Sequence, residues 1–402
     1  MYNITKKEAW LMRAFTTVAI ISEYNPFHQG HALLFAKAKE AYPDCAIISI
    51  MSGNTVQRGD FAVFDRYARA EAAMACGCEL ALELPYPYSC SSSEQFAKAG
   101  VRIAIEAGTD VLMFGSAAEE PQMLFDAVKT LKTDEFKSRL VKLSKESPDR
   151  SFLSLREELY REMTGKELPR DGNSSLGMEY IMAAEELNRE YKRKLKCHPI
   201  SRIGAYTATA CRKELRSHSE KSSLPIDIPP EAQAVFRNTP IGGGLDSIPE
   251  LVLGMLRITA FSATPTSKNG IREALIRASE GAANMNDFYS ALPTATYTRA
   301  RLRRVLMDTL LLPDFMDTDA IKNTPPEYTV LLGAKERGFE ILADMRKSSP
   351  LTVITKPSDT ARLTDRARAA YDTAQRVEKL FALTLTPPSA PGELIPRFRV
   401  KR

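Results

Sequence analysis

Short continuous apolar runs alternate with amphipathic stretches over the first 120 residues of the chain. Four runs have the length and composition of strands buried on both faces, at residues 17–22, 45–53, 78–85 and 109–116. Three stretches between them show apolar positions at helical spacing, at residues 31–42, 65–77 and 91–108. Strands separated by single helices predict an α/β domain with a parallel sheet covered by helices on both faces.

The pattern changes after residue 120, where helical spacing dominates up to about residue 195. One more strand is predicted at residues 197–204, and a turn into a helix follows it directly. Residues 219–233 have the proline and serine content of a linker. We therefore predict a sheet domain over residues 12–220 and a second domain over residues 221–402. The eleven residues before Met12 are interpreted as an extra leader or a misassigned start.

The second domain is predicted to be mainly α-helical. Its helical patterns lie at residues 247–261, 270–281, 298–312 and 365–383. A β-like run at residues 351–356 fits two alternatives, an isolated strand or a strand that returns to an edge of the sheet.

Composition agrees with an ordinary globular protein of two domains. A chain of 402 residues exceeds the size that one hydrophobic core usually supports. The net charge of +5, from 55 basic and 50 acidic residues, permits a nucleic-acid partner without arguing for one. The six cysteines form no C-x-x-C pair, so we expect buried free thiols and no zinc site. Without an apolar run of about 18 residues, the protein is expected to be cytoplasmic and to have no membrane partner.

The stretch EYNPFHQGH, residues 23–31, holds two of the four histidines of the chain, His28 and His31. It lies where the first predicted strand ends and the first helix begins, a position at which free N–H groups favour anions. Gly30 lets the backbone approach a ligand closely. Such a cluster suits a nucleoside triphosphate attacked at its α-phosphorus, because imidazoles donate hydrogen bonds to the developing charge. The alternative is that one histidine caps the helix and the other lies on the surface.

Other polar positions follow the later strands. The stretch TATACR offers Thr207, Thr209 and Arg212 for phosphate binding at the start of a helix. Gly115, in FGS at the end of the fourth strand, would let an adenine or ribose approach. The polar loop after the second strand is either a structured loop or the place of the second substrate, which its side chains would hold: Asn54, Gln57, Arg58 and Asp60.

Taken together, these motifs resemble a known family. The pattern H-x-G-H with a downstream Thr-x-Thr-x-x-Arg element is similar to the nucleotidyltransferase superfamily. IISEYNPFHQGH, VQRGD, LALELP, VLMFGS, NSSLGMEYI and SRIGA resemble the tRNA(Met) cytidine acetate ligases over roughly residues 17–215. The resemblance implies a Rossmann-like sheet and an ATP-dependent ligase that forms acetyl-adenylate. The acetyl group would then pass to N4 of the wobble cytidine of elongator tRNA(Met).

The resemblance also implies a nucleotide site. Its histidines at the triphosphate would be His28 and His31. The whole set of implied ATP contacts is Ile21, Ser22, Glu23, Tyr24, Asn25, Pro26, Phe27, His28, Gln29, Gly30, His31, Ala32, Leu33, Leu34, Gly115, Asn173, Arg202 and Ile203. Mg²⁺ is expected to accompany ATP, but no carboxylate cluster identifies a metal ligand of the protein itself. The chain departs from the family at Ser174, where a second asparagine is common, after Ser116, and in a shortened loop before TATACR.

For tRNA, the sequence offers a basic helix and a basic loop. The tRNA candidates are Arg58, Arg299, Arg301, Arg303 and Arg304. Leu302, Leu306 and Leu310 share one face of that helix, so the alternative is an ordinary solvated amphipathic helix. The tail RFRVKR is similarly basic. Two rival functions stay open at this point, a small-molecule adenylyltransferase of the same superfamily and a catalytically weakened RNA-binding homologue.

Overall fold

A central sheet of seven strands organises the protein, in the order β10-β9-β5-β2-β1-β6-β7. The computed structural model describes residues 13–118, 120–147, 150–201, 208–217, 224–258, 270–294, 296–311 and 318–391. The strands are β1 Thr17–Ser22, β2 Ala46–Ser52, β3 Thr55–Val56, β4 Asp60–Phe61, β5 Leu80–Leu84, β6 Val111–Ser116, β7 Lys196–Ser201, β8 Ile241–Gly242, β9 Tyr328–Ala334, β10 Thr352–Ile354 and β11 Leu385–Thr386.

Helices cover both faces of this sheet and continue beyond it. They are α1 Gln29–Ala41, α2 Arg66–Ala75, α3 Ser93–Glu106, α4 Gln122–Leu131, α5 Asp134–Glu146, α6 Phe152–Thr164, α7 Gly172–Tyr191, α8 Ala208–Ser217, α9 Pro230–Phe236, α10 Pro249–Ile258, α11 Ile271–Glu280, α12 Met285–Ser290, α13 Arg299–Leu311, α14 Thr318–Lys322, α15 Glu336–Ser348 and α16 Asp365–Thr384. In the described part of the chain, no helix is long and apolar enough to cross a membrane.

The α/β fold predicted from the sequence is confirmed. Strands β1, β2, β5, β6 and β7 pair in parallel, each within a few residues of its predicted position. The continuous apolar composition of β1 and β2 follows from their place at the centre of the sheet, where both faces are covered. Parallel pairing brings the carboxyl ends of β1, β2 and β6 to one edge, above which ligands bind in such sheets.

Two strands of the second half of the chain join this sheet. β9 pairs antiparallel with β5, with Leu80 opposite Ala334, and β10 lies parallel to β9 at the sheet edge. The run at 351–356 therefore returns to the sheet, which was one of its two alternatives. β9 itself was missed from the sequence, although Tyr328–Ala334 is a continuous apolar run with buried side chains. The division at residues 220 and 221 stays a prediction, and the sheet draws strands from both sides of it.

Part of the segment with linker composition is packed, so that part of the linker prediction is wrong. Ile228 is fully buried, and just beyond the segment the ring of Phe236 stacks on Phe64 with the ring centres 4.2 Å apart. The backbone N–H of Gln29, at the start of α1, donates to the carbonyl of Asp227 at 2.7 Å. This segment therefore supports the helix that carries the histidines.

Candidate functional site

His28 and His31 cap the first helix and each other. The Nδ1 atom of His28 accepts the backbone N–H of Gly30 at 3.0 Å, and Nδ1 of His31 accepts the backbone N–H of His28 at 3.2 Å. The two rings lie 3.9 Å apart between centres, and Nε2 of His31 is 3.3 Å from the hydroxyl of Ser22. Because both Nδ1 atoms act as acceptors, each neutral ring carries its proton on Nε2 and can donate from that edge.

The helix-cap alternative and the ligand-site hypothesis are therefore compatible. His28 has the extended backbone of an N-cap residue, and its ring still lines a cleft above the strand ends. Capping uses only one nitrogen of each imidazole. Both histidines line the cleft at the positive end of the helix, a position that favours an anion.

The turn that precedes the histidines is held by distant side chains. Tyr24 has φ of +46°, a conformation unfavourable for a side chain with Cβ, and its hydroxyl is 2.8 Å from that of Ser49. The Asn25 side-chain oxygen accepts the N–H of Val63 at 2.8 Å, and Arg212 donates to the Asn25 carbonyl at 2.7 Å. These contacts fix where the histidine pair points.

The cleft has a volume of about 520 Å³ and opens above β1 and β6. It contains most of the predicted nucleotide contacts that the structure describes: Ile21, Ser22, Glu23, Tyr24, Asn25, His28, Gly30, His31, Leu33, Leu34, Gly115 and Asn173. Four others do not line it, namely Pro26, Phe27, Gln29 and Ala32. Phe27 instead packs in the core. The stretch at residues 23–31 therefore contains both residues that line the cleft and residues that pack in the core. Arg202, Ile203 and Thr207 lie outside the described residues.

At one side of the cleft, the positive charge is concentrated. Thr209, Arg212 and Arg58 line it, and Arg212 also donates to the hydroxyl of Thr209 at 3.1 Å. Burial lowers the pKa of Arg212; the Glu23 carboxylate opposes this fall, whereas the nearby cations Arg216 and Arg58 add to it. An arginine held close to other cations gains from a bound polyanion, so this side suits the phosphates of a nucleotide.

The start of α7 also lines the cleft. The Asp171 carboxylate accepts the backbone N–H groups of Asn173 and Ser174, both at 3.0 Å. Ser174 is fully buried, and its hydroxyl is 2.9 Å from that of Ser116. Ser174, one of the positions at which the sequence was predicted to depart from the family, thus bonds to Ser116 away from solvent. Gly115 has open space where a Cβ would lie.

Several cleft residues were missed from the sequence: Lys37, Phe96, Phe114, Ala117, Asp171, Gly172, Leu176, Tyr180, Ile200, Ser201 and Ala208. Asp-Gly-Asn before a helical run is an N-cap signal, so Asp171 was detectable. The aromatic residues among them look like ordinary core positions, and no local pattern separates them from the core.

The loop between β2 and α2 divides into ligand-facing and structural residues. Gln57 and Arg58 line the cleft. Asn54 is buried, with its side chain donating to Glu378 at 2.9 Å and accepting the N–H of Arg66 at 2.7 Å. Asp60 is paired with Arg303, 3.0 Å away.

The four arginines of α13 have different surroundings. Leu302, Leu306 and Leu310 face the core, as predicted. Arg303 is held by Asp60 and by the Gly59 carbonyl, and Arg304 donates to the Gln57 carbonyl at 3.2 Å. Arg299 and Arg301 are exposed. The helix therefore holds the loop with two arginines and presents two others to solvent.

A buried ionic cluster supports the same loop. Arg66 contacts both oxygens of Glu83 at 3.0 Å and lies 3.4 Å from Glu378. One guanidinium thus faces two carboxylates. Burial raises the pKa of Glu378 to about 7; Arg66 opposes this rise, whereas Glu83 and Asp65 add to it.

This cluster predicts that stability falls as the pH rises from about 5 to 8. The pKa of Glu378 is higher in the folded protein than in the unfolded chain, so the folded state binds more protons in this window. We expect the free energy of unfolding to decrease by roughly 1–3 kcal/mol, and Glu378→Gln to remove most of that slope. Urea unfolding of both proteins at several pH values measures it. A slope that persists in Glu378→Gln would assign the titration to another group.

No three His, Cys, Asp or Glu side chains are grouped to hold a metal ion anywhere in the described ranges. All six cysteines are free, and four of them are buried.

Comparison with known proteins agrees with this geometry. A family model described as HIGH nucleotidyl transferase matches residues 15–390. The tRNA(Met) cytidine acetate ligase of Streptococcus equi subsp. zooepidemicus is 30% identical, over 89% of this chain and 93% of that protein. The protein of the same name from Lactobacillus delbrueckii subsp. bulgaricus is 28% identical over 91% and 95%. A crystal structure of Thermotoga maritima TmcAL bound with alpha-thio ATP superposes with a TM-score of 0.81, at 24% identity, covering 93% of this chain and 95% of that one.

Proposed function

We propose that this chain, which belongs to the tRNA(Met) cytidine acetate ligases within the HIGH nucleotidyltransferase family, uses ATP to attach acetate to a cytidine of tRNA(Met). The observation that carries the proposal is the reciprocal histidine cap of α1. It fixes both imidazoles at the positive end of a helix, inside a cleft of nucleotide size.

In the first step, an oxygen of acetate attacks the α-phosphorus of ATP. The bond from that phosphorus to the bridging oxygen of the β-phosphate breaks, and pyrophosphate leaves with the electron pair. The donors of His28 and His31 would stabilise the charge that builds on the phosphoryl oxygens, and Arg212 would receive the departing phosphates. This chemistry needs no nucleophile from the protein.

In the second step, the N4 amine of the wobble cytidine attacks the acetyl carbonyl of the adenylate. The bond between the acetyl carbon and the phosphate oxygen breaks, AMP leaves with its electrons, and N4 loses a proton. The product is N4-acetylcytidine in elongator tRNA(Met). We propose that the reaction takes place in the cytoplasm, where ATP, acetate and tRNA are present together.

Mg²⁺ would enter with the phosphates of ATP, which supply oxygen ligands of the kind it prefers. Glu23 and Asp171 are the acidic residues of the cleft, and both already accept backbone N–H groups, from Gln57 and Asn173 among others. The chain would therefore contribute at most a carboxylate to an ion held mainly by ATP and water.

Labelled acetate, ATP and total tRNA test the proposed function. We expect label in elongator tRNA(Met), at N4-acetylcytidine, with one AMP and one pyrophosphate formed for each acetyl group. ATP turnover with a mononucleotide acceptor and no label in tRNA would favour the small-molecule adenylyltransferase. Absence of ATP binding in calorimetry would favour an RNA-binding homologue without activity.

The exposed arginines of α13 carry a prediction about tRNA. We expect the double variant Arg299→Ala and Arg301→Ala to weaken tRNA binding and to reduce the slope of log affinity against log salt by about 1–2, since two phosphate contacts are lost. Filter binding at several salt concentrations measures this. Replacing two exposed lysines of α5, Lys137 and Lys145, removes the same charge and is the matched control. If the arginine and lysine double variants weakened tRNA binding equally, net charge alone would explain the effect and α13 would have no specific role.

A further inference from the structure

Tyr180 is a cleft residue whose hydroxyl has no hydrogen-bond partner in the described part of the chain. The residue is only 3% exposed. A buried hydroxyl without a partner is costly, so such groups commonly meet a ligand or a bound water. Burial, together with the carboxylate of Glu23, raises the pKa of this hydroxyl, which keeps it protonated.

Several apolar side chains line the cleft together with Tyr180. Ile21, Phe96, Phe114 and Leu176 line the same cleft, and the first three are at most 6% exposed. The ring of Phe114 lies against that of Tyr180, with 5.3 Å between centres. The Tyr180 hydroxyl can donate a hydrogen bond, and these side chains offer an apolar surface. Together they fit a ligand that carries an oxygen acceptor and a small hydrocarbon group.

The walls have no space behind them. A Cβ placed on Gly100 would lie 2.9 Å from Cδ1 of Ile21, and a Cβ placed on Gly177 would lie 2.8 Å from the ring of Phe114. Both side chains therefore press directly on helix backbone, in α3 and α7. Because the backbone of a packed helix cannot retreat, the apolar space has a fixed size.

We propose that this corner of the cleft is the site for the carboxylic acid substrate, with the Tyr180 hydroxyl donating to a carboxylate oxygen and Ile21 and Phe114 enclosing the methyl group. The inference rests on the proposed function and adds the residues that choose the acid. We expect the corner to accept acetate and its walls to disfavour longer monocarboxylates. The acid then lies beside the histidine pair that binds the phosphates, since both groups line one cleft.

Acetate-dependent exchange of labelled pyrophosphate into ATP tests the donor. We expect Tyr180→Phe to raise KM for acetate by about 10- to 100-fold, the usual effect of losing a hydrogen bond to a charged group, and to leave KM for ATP unchanged. Tyr328→Phe is the matched control, because Tyr328 is also buried with an unpartnered hydroxyl but does not line the cleft. We expect it to leave both constants unchanged.

The role of Ile21 is tested by the ratio of kcat/KM for two acids. This ratio does not depend on the amount of folded protein. We expect Ile21→Ala to raise kcat/KM for butyrate relative to acetate by about 10-fold or more, since an aliphatic pocket distinguishes added methylenes by this amount. An unchanged ratio would overturn the role of Ile21. An unchanged KM for acetate in Tyr180→Phe, or an equal rise for ATP and acetate, would overturn the role of Tyr180.

The wild-type protein separates this inference from the proposed function. If the wild type catalyses no acetate-dependent exchange, the proposed function itself fails. If it does, and the Tyr180 and Ile21 variants behave as the wild type, only the acid site is wrong. A denaturant unfolding transition like that of the wild type shows that each variant is folded.

Discussion

His31→Ala is expected to reduce acetate-dependent pyrophosphate exchange by about 100- to 1,000-fold, because one fixed donor to the developing phosphoryl charge is lost. The substitution also removes the acceptor of the His28 N–H, so His28 loses part of its orientation. The two histidines act as one unit, and a double variant is therefore expected to lose little more than the single one.

The measurement needs a control for general effects of losing an imidazole. His198 serves for this, since it lies on β7, does not line the cleft and has its Nδ1 2.8 Å from the Tyr42 hydroxyl. We expect His198→Ala to retain exchange activity. Exchange by His31→Ala within a few-fold of the wild type would contradict the role assigned to the pair.

Arg69→Leu is expected to cause the largest loss of stability, at least about 3 kcal/mol in the free energy of unfolding. Arg69 is fully buried, and its acceptors among the described residues are backbone carbonyls. The acceptors are Phe64 at 2.8 Å, Glu23 at 2.5 Å, Ser52 at 3.1 Å and Gly53. Burial lowers its pKa to about 10, so the guanidinium remains charged at neutral pH.

The expected loss of stability is large because the Arg69 side chain forms hydrogen bonds at the ends of two strands. Glu23 follows β1, Ser52 ends β2 and Gly53 comes directly after it. Leucine would therefore leave several carbonyls buried without partners beside the cleft. Arg69→Lys keeps the positive charge but lacks the planar guanidinium. We expect its free energy of unfolding to lie between those of the wild type and Arg69→Leu. Denaturant unfolding measures all three proteins. If lysine restored full stability, charge alone would explain the role of Arg69.

Local sequence patterns determined the first half of the sheet. β1, β2, β5 and β6 are continuous apolar runs, and each has its helix beside it in sequence, so spacing over a few residues was sufficient. The same reasoning located the histidine pair at a strand end and a helix start. His28 and His31 carry this signal within four residues, which is why the motif could be found without the fold.

The remaining features depend on contacts between residues far apart in the sequence, and such contacts leave no local sequence pattern. β9 joins β5 although Leu80 and Ala334 are far apart in sequence, and the hydrogen bond from Thr329 to the Glu83 carbonyl forms only after that pairing. Only the tertiary structure revealed which arginines of α13 are held by the loop and which face solvent. It also distinguished Tyr180 from other core aromatics, because an unpartnered hydroxyl is a property of its surroundings and not of its neighbours along the chain.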